Sequence, residues 1–323
     1  MAVYTKLSAS IIESLLSAYD IGGLNDFQEI GAGIENTNYF VSTQVMTSTQ
    51  NTVAREWVLT IFENVDRGQL PYFCQLTEHL FKEGFDVPAP VRSKTDNYTF
   101  TYADKVGLIV PKLQGISVES PQKEECASVG AYLSSMHLCM KSFTLTRSLE
   151  RDLEWAERQG DLLKSKVSDA ERQLIEVALG RYRSYQPRLL LCPQGTVHGD
   201  LFKDNVLFNN GKISGVFDFY HACDATLLFD LAVIANDWTF ENGNYDQQKL
   251  EALTLAYQAV RPWTDMEHTM WFACLELAAL RFWLSRLTSM HLPGYQQQPV
   301  SGDTLKDPDE MKVILLSLIK NDF

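Results

Sequence analysis

The chain has 323 residues, 45% hydrophobic and 21% charged, with a formal charge of -13. That length holds a substantial core, in one large domain or two modest lobes, and the composition excludes extensive disorder. The acidic excess argues against a broad nucleic-acid surface, which needs a basic stripe to replace counterions around phosphates.

The start, Met1-Ala2-Val3-Tyr4-Thr5-Lys6, lacks the apolar core of a signal peptide, so the expected compartment is the cytoplasm. Ser10-Ile11-Ile12-Glu13 has the form of a capping box. Ile12, Leu15, Leu16 and Tyr19 then recur at helical spacing, and Gly22-Gly23 closes that helix. Phe27 to Ile30, Tyr39 to Val41 and Trp57 to Phe62 are short β-type runs separated by polar turns. A helix is predicted over Leu70 to Lys82, ended by Gly84, Pro88 and Pro90. Tyr98 to Tyr102 and Gly107 to Val110 predict two more strands, joined by a turn around Ala103-Asp104-Lys105.

Beyond Gly115 the pattern is mostly helical: about Gln122 to Met140, Asp152 to Val167, Asp169 to Tyr185, Leu250 to Val260 and Asp265 to Met290. Trp271 to Leu280 is the most apolar helical run. It contains Glu276, meets Arg281 and is too short for a membrane span, so it reads as a core helix. Gln296 to Pro299 reads as a polar loop. The six cysteines are scattered with no C-x-x-C pair, which favours buried thiols over zinc or disulfides. A β-rich first third and a helical remainder, meeting near Lys112-Leu113-Gln114, predict an α+β molecule of two lobes, 1–112 and 113–323, with a cleft between them.

The stretch from Thr196 to Phe219 breaks the helical pattern and carries the chemistry. His198-Gly199-Asp200 is followed five residues later by Asn205, and an apolar strand then ends in Asp218. Phosphoryl transfer needs a carboxylate to orient the acceptor hydroxyl and take its proton, and oxygen ligands to hold magnesium against the phosphates. Asp200 fits the first role, and Asn205 with Asp218 the second. Each piece alone is common; the joint spacing is specific.

This segment resembles the catalytic loop and metal-binding aspartate of the aminoglycoside phosphotransferase and choline kinase superfamily, distant relatives of protein kinases. Further segments are similar to its bacterial homoserine kinase branch: Gly33 to Phe40, Val58 to Glu63, Leu70 to Phe73, Asp218 to Cys223, Asp230 to Ala232, Asn236 to Trp238 and Leu280 to Leu287. The resemblance implies a bilobal protein-kinase-like fold. It implies transfer of the ATP γ-phosphate to the hydroxyl of L-homoserine, in threonine biosynthesis, with Mg2+ as the metal.

By that resemblance the loop Gly31 to Asn38, with Gly31, Gly33, Asn36 and Asn38, covers the ATP phosphates. The connector from Val110 to Gln114, including Lys112 and Leu113, holds the adenine edge; a hairpin turn and a plain linker are the respective alternatives. One departure stands out, because Thr60 occupies the strand position where protein kinases carry a phosphate-gripping lysine. Glu78 is then either the remnant partner of that lysine or a solvated charge. Lys203, inside the catalytic loop, is the candidate for the missing positive charge.

Gly199 replaces the arginine of the protein-kinase loop, and a helix starts soon after Asp218, near Leu228-Phe229-Asp230. Phosphorylation-controlled switching is therefore not expected. Asp230 is expected to brace the catalytic loop through backbone amides, or simply to start the helix. For the substrate, Asp237, Trp238, Tyr220 and Arg281 are the candidates, with Trp283 as a further wall. Arg281 either binds the substrate carboxylate or pairs with an acid such as Asp237 or Asp230. Two other readings stay open: a kinase of a different small alcohol, such as choline or an aminoglycoside, and a non-catalytic nucleotide-binding relative. Sequence leaves the oligomeric state open, and the expected partner is a small molecule, not a membrane or nucleic acid.

Overall fold

The computed structural model describes residues 4–31, 36–46, 52–63, 67–292 and 306–320. They fall into two compact units that divide between Leu113 and Gln114. Gly33 of the expected phosphate loop and the Gln296–Pro299 segment lie outside the described residues.

The first unit begins with α1 (Ala9–Leu16). Its cap is Ser8, whose side chain accepts the Ile11 N–H, and not the expected Ser10. Ser10 already lies in the first turn and instead shares a hydrogen bond with the Ser8 hydroxyl at 2.9 Å, so the helix starts earlier than the box suggested. The chain continues through β1 (Gly23–Ile30), β2 (Asn36–Met46), β3 (Thr52–Phe62), α2 (Leu70–Lys82), β4 (Thr99–Tyr102) and β5 (Lys105–Pro111). The strands make one antiparallel sheet in the order β1-β2-β3-β5-β4.

Register places Tyr39 opposite Leu59 and Leu59 opposite Ile109. These three fully buried side chains therefore form a row across the sheet, packed with Ile12 and Leu16 of α1. Burying each such side chain contributes roughly 1.5–3 kcal/mol, so the row anchors the unit. The Tyr39 hydroxyl accepts the Leu7 N–H and donates to the Thr5 carbonyl, both at 3.0 Å, which fixes the segment leading into α1.

The second unit contains α3 (Lys123–Cys139), α4 (Leu153–Leu163), α5 (Asp169–Leu189), β6 (Gln194–Val197), β7 (Val206–Asn209), β8 (Lys212–Val216), β9 (Cys223–Thr226) and α6 (Leu227–Trp238). A small hairpin, β10 (Phe240–Glu241) with β11 (Asn244–Tyr245), leads to α7 (Gln247–Val260), α8 (Asp265–His291) and α9 (Pro308–Lys320). α8 is the centre of this unit. Its run from Ala273 to Leu284 is buried throughout, and Glu276 within it is held by Arg181 of α5 through bonds of 2.6 and 2.8 Å. No helix among the described residues is long and apolar enough to cross a membrane.

Two elements depart from the sequence expectations. α5 runs to Leu189, past Tyr185, and carries Pro187 in its last turn, where it removes one helical N–H donor. α9 was not anticipated, and it explains Arg286, whose Nη1 bonds the Asp307 carbonyl at 2.6 Å and the Glu310 carboxylate at 2.8 Å. α3 lies against α7 where Gly130 meets the Leu253 carbonyl: a Cβ there would come within 2.3 Å of that oxygen. The close approach sets His137 of α3 beside Tyr257 of α7.

Candidate active site

Antiparallel pairing gathers the motif at one end of two small ladders. Val197, the last residue of β6, lies opposite Cys223, the first of β9. Val206, the first of β7, lies opposite Val216, the last of β8. The loop 198–205 and the turn 217–222 therefore meet, and they bring Asp200, Asn205 and Asp218 to the same end. Asp218 adopts a left-handed conformation at φ 67, ψ 56, which aspartate tolerates better than most residues and which functional sites often retain.

Gly199 also has a positive φ, 78°, and a Cβ there would stand 2.7 Å from the His221 carbonyl oxygen. That close contact is a physical reason for glycine where protein kinases use arginine. Gly199→Ala is expected to cost about 1–3 kcal/mol and to lower kcat at least tenfold, because the loop must shift to relieve the contact. Thermal melting and steady-state kinetics check this; an unshifted midpoint would contradict the strain.

Asp230 is the brace of the loop. Fully buried at the start of α6, it accepts the His198 N–H at 2.7 Å and the Gly199 N–H at 2.8 Å, with His137 Nε2 at 3.2 Å. Burial pushes its pKa up, but the hydrogen bond and charge of His137 and the loop amides outweigh that and hold the carboxyl below its usual range. The line continues inward, since His137 Nδ1 meets the Tyr257 hydroxyl at 2.8 Å and that oxygen accepts Arg261 Nε–H at 2.8 Å. Arg261 ends on Glu267 of α8. Four helices thus hold the loop 198–205 through one buried polar line. Tyr257→Phe should leave buried groups on His137 and Arg261 unsatisfied and cost about 1–3 kcal/mol in urea denaturation. An unchanged midpoint would show that the line carries no load.

His198 acts on the loop itself. Nε2–H donates to the Phe217 carbonyl at 3.0 Å and Nδ1 accepts the Asp200 N–H at 3.3 Å, a pattern that requires the neutral ring. Burial lowers its pKa in agreement. His198 therefore ties the loop to the strand end that delivers Asp218, and both ring nitrogens are engaged in that task.

Burial, with the Asp218 carboxylate nearby, pushes Asp200 up to about 7, while Arg281, Lys306 and Arg151 pull it down. Asn205 donates from Nδ2 to the Asp200 carbonyl at 2.8 Å, so its side-chain oxygen, not its nitrogen, is the atom available to a metal. Two carboxyls and an amide oxygen at one end form a hard-oxygen donor set whose mutual repulsion a divalent cation relieves. The residues present thus fit a metal.

Lys203 donates its backbone N–H to Asp237 Oδ2 at 2.7 Å, so Asp237 is a second brace of the loop. Burial raises the Asp237 pKa against that bond and the Lys203 charge. Arg281 makes neither of the expected pairs with Asp230 or Asp237. It donates from Nη1 to the Gly199 carbonyl at 2.6 Å and lies 4.7 Å over the Phe282 ring, because both acids are already committed to backbone amides. Trp238 is buried against Phe208 at 6.2 Å, and Trp283 is fully buried, so both are core residues. Tyr220 is half-buried in the turn after Asp218. Sequence reasoning missed Arg151 and Lys306. Lys306 pairs with Asp204 at 2.7 Å and sits 4.3 Å over Phe202, contacts from beyond the motif that no local spacing records.

In the first unit, Gly31 is exposed, and Asn36 and Asn38 begin β2. Asn38 lies opposite Thr60, and the Thr60 hydroxyl donates to Asn38 Oδ1 at 2.7 Å. Glu78 belongs to Arg92, through bonds of 3.0 and 3.2 Å, with Tyr98 at 3.0 Å and Lys82 at 2.9 Å. The Arg92 bonds hold its carboxyl well below the usual range, and the cation comes from the segment before β4, not from β3. Lys112 pairs with Glu56 at 3.2 Å and covers the Phe40 ring at 4.5 Å; Leu113, next to it, is half-buried.

A loop of this construction, on an α+β framework of one antiparallel sheet and a helical unit, defines a phosphotransferase. The chain belongs to the phosphotransferase enzyme family, whose model matches residues 26–263. Within it, the chain is similar to homoserine kinases. That of Janthinobacterium sp. (strain Marseille) is 37% identical over 297 residues, covering 91% of this chain and 89% of the relative. That of Pseudomonas aeruginosa PAO1 is 34% identical over 316 residues, covering 98% and 96%. Among solved structures, an amicoumacin kinase in complex with AMP-PNP and Ca2+ aligns with a TM-score of 0.70 at 15% identity, over 98% of this chain and 94% of that one. The choline kinase of Streptococcus pneumoniae aligns at 0.65 and 16%, over 96% and 98%. At such identities these two establish the protein-kinase-like fold and nothing narrower.

Proposed function

We propose that this protein transfers the γ-phosphoryl group of ATP to the side-chain hydroxyl of L-homoserine, a step of threonine biosynthesis. The observation that carries the reading is the braced loop bearing Asp200, in a chain 34–37% identical to homoserine kinases over most of its length.

Asp200 receives the acceptor hydroxyl and takes its proton as the phosphorus–oxygen bond forms. Its raised pKa suits a base that works near neutrality, where the ionised form is available and accepts the proton readily. Asn205 Oδ1 and Asp218 hold the metal, for which Mg2+ is the expected ion; when bound, it neutralises phosphate charge. Lys203 and Lys306 add positive charge beside the loop, which suits a site whose substrates are anionic. Gly31, Asn36, Asn38 and Thr60 are assigned to the nucleotide phosphates and Lys112 with Leu113 to the adenine; Gly33, outside the described residues, is assigned with them on the family resemblance alone. Glu78, committed to Arg92, supports the sheet and not a phosphate-gripping lysine. The compartment is read as the cytoplasm, where ATP and the amino acid are both present.

The test is ADP release over a panel of L-homoserine, choline and an aminoglycoside, with magnesium present. Turnover with L-homoserine alone is the expected result. Turnover with choline or the aminoglycoside and none with L-homoserine would assign the same chemistry to a different alcohol.

A further inference from the structure

Arg281 is 6% exposed on α8, and its contacts leave it incompletely satisfied. Nη1 is taken by the Gly199 carbonyl at 2.6 Å, while Nε has no hydrogen-bond partner among the described residues. A buried guanidinium without an acid is costly, and the ring faces of Phe229 and Phe282, 5.4 and 4.7 Å away, offset only part of that cost.

One turn further along α8, Ser285 bonds Arg151 Nη1 at 3.3 Å. A four-residue step places Ser285 and Arg281 on the same face of the helix, so Arg151 is drawn alongside Arg281. Both arginines line one cavity of about 60 Å3, walled by Trp155, Tyr182 and Phe229. Arg151, like Arg281, makes no ion pair among the described residues. Burial first, then Arg151 and Arg281, keep His221 next to the loop in its neutral form. Two cations thus share a small cavity whose lining contains no carboxylate, with Asp200 acting on them only from outside it.

The geometry points to Arg151 and Arg281 as the receptor for the carboxylate of a short hydroxy amino acid, an inference that rests on the amino-acid kinase reading above. A guanidinium fork matches a carboxylate in shape, and a cavity of this size has room for a carboxylate group. Arg281 is bonded to Gly199, the residue before Asp200. The charges of Arg281 and Arg151 both act on the Asp200 carboxyl, so a carboxylate bound by the two arginines lies within electrostatic reach of the group assigned to the acceptor hydroxyl. The arginines then make the enzyme selective for acceptors that carry a carboxylate. Arg151 is the discriminating member, because Arg281 also supports the loop.

The experiment compares kcat/KM for L-homoserine with kcat/KM for 3-aminopropan-1-ol, the same acceptor without its carboxylate, in wild type, Arg151→Met and Arg151→Lys. Arg151→Met is expected to lower the ratio of the two at least tenfold, mainly through the KM for L-homoserine. Arg151→Lys, which keeps the charge and loses the fork, should fall between the two. Thermal melting of each variant checks the fold, and the lysine variant carries the test if methionine destabilises the chain. An unchanged ratio in both variants, with wild-type turnover of L-homoserine intact, overturns the carboxylate site and leaves the kinase reading standing. Absence of L-homoserine turnover in the wild type overturns both.

Discussion

Asp200→Asn is expected to lower kcat about a thousandfold while leaving the chain folded and, above neutral pH without metal, more stable than the wild type. The loss of rate follows from the role proposed for Asp200 in taking the acceptor proton, a contribution typically of a hundred- to ten-thousandfold. The gain in stability follows from the folded-state pKa, raised from 3.8 to about 7 by burial and by Asp218. A carboxyl whose pKa rises on folding binds more protons in the native than in the unfolded state across that interval. Wild-type stability therefore falls as pH rises from about 4 to about 7, and the cost is fully present above 7. Asparagine does not ionise, so the variant escapes it by roughly 1–3 kcal/mol at pH 8 in EDTA. Urea denaturation at pH 5 and pH 8 measures the difference. Equal pH profiles for the two proteins would show that Asp200 ionises freely in the folded state.

Asp230→Ala should have the largest structural effect of any single change in the second unit. It removes the acceptor for the His198 and Gly199 amides and the partner of His137 in one step, all of them buried. Breaking a buried charged brace and leaving its partners unsatisfied costs about 3–5 kcal/mol. Activity of the remaining folded fraction should also collapse, since the loop that aims Asp200 has lost its anchor. Asp230→Asn, which keeps an oxygen but not the charge, should recover part of the stability. A stable Asp230→Ala protein with near-normal turnover would mean that the loop holds its conformation through its own contacts.

The candidate loop was legible as a motif because its residues lie close together in the chain. Asp200, Asn205 and Asp218 sit within nineteen positions, on a hairpin whose apolar alternation is plain in the sequence. The strands of the first unit and α2 were legible for the same reason, with α2 matching its expected bounds because Pro71 sets its first turn and Gly84 follows its end. What escaped was built from long-range contacts. His137 and Tyr257 are 120 residues apart, Arg151 and Ser285 are 134 apart, and neither pair leaves a trace in spacing. Arg281 was flagged correctly as an unusual buried cation, but its partner is a backbone carbonyl, which has no sequence signature. Glu78 misled for a related reason, since the arginine that claims it arrives fourteen residues later from an irregular segment. α9 went unseen although Met311, Ile314, Leu315 and Leu318 recur at helical spacing.

The most direct test of the central claim is phosphorus NMR of the product formed from ATP and L-homoserine with magnesium, alongside ADP release. One phosphomonoester per ADP, bonded to the side-chain oxygen of homoserine and absent with Asp200→Asn, is the predicted result. ADP released without a phosphorylated amino acid, or equal product from Asp200→Asn, would contradict it.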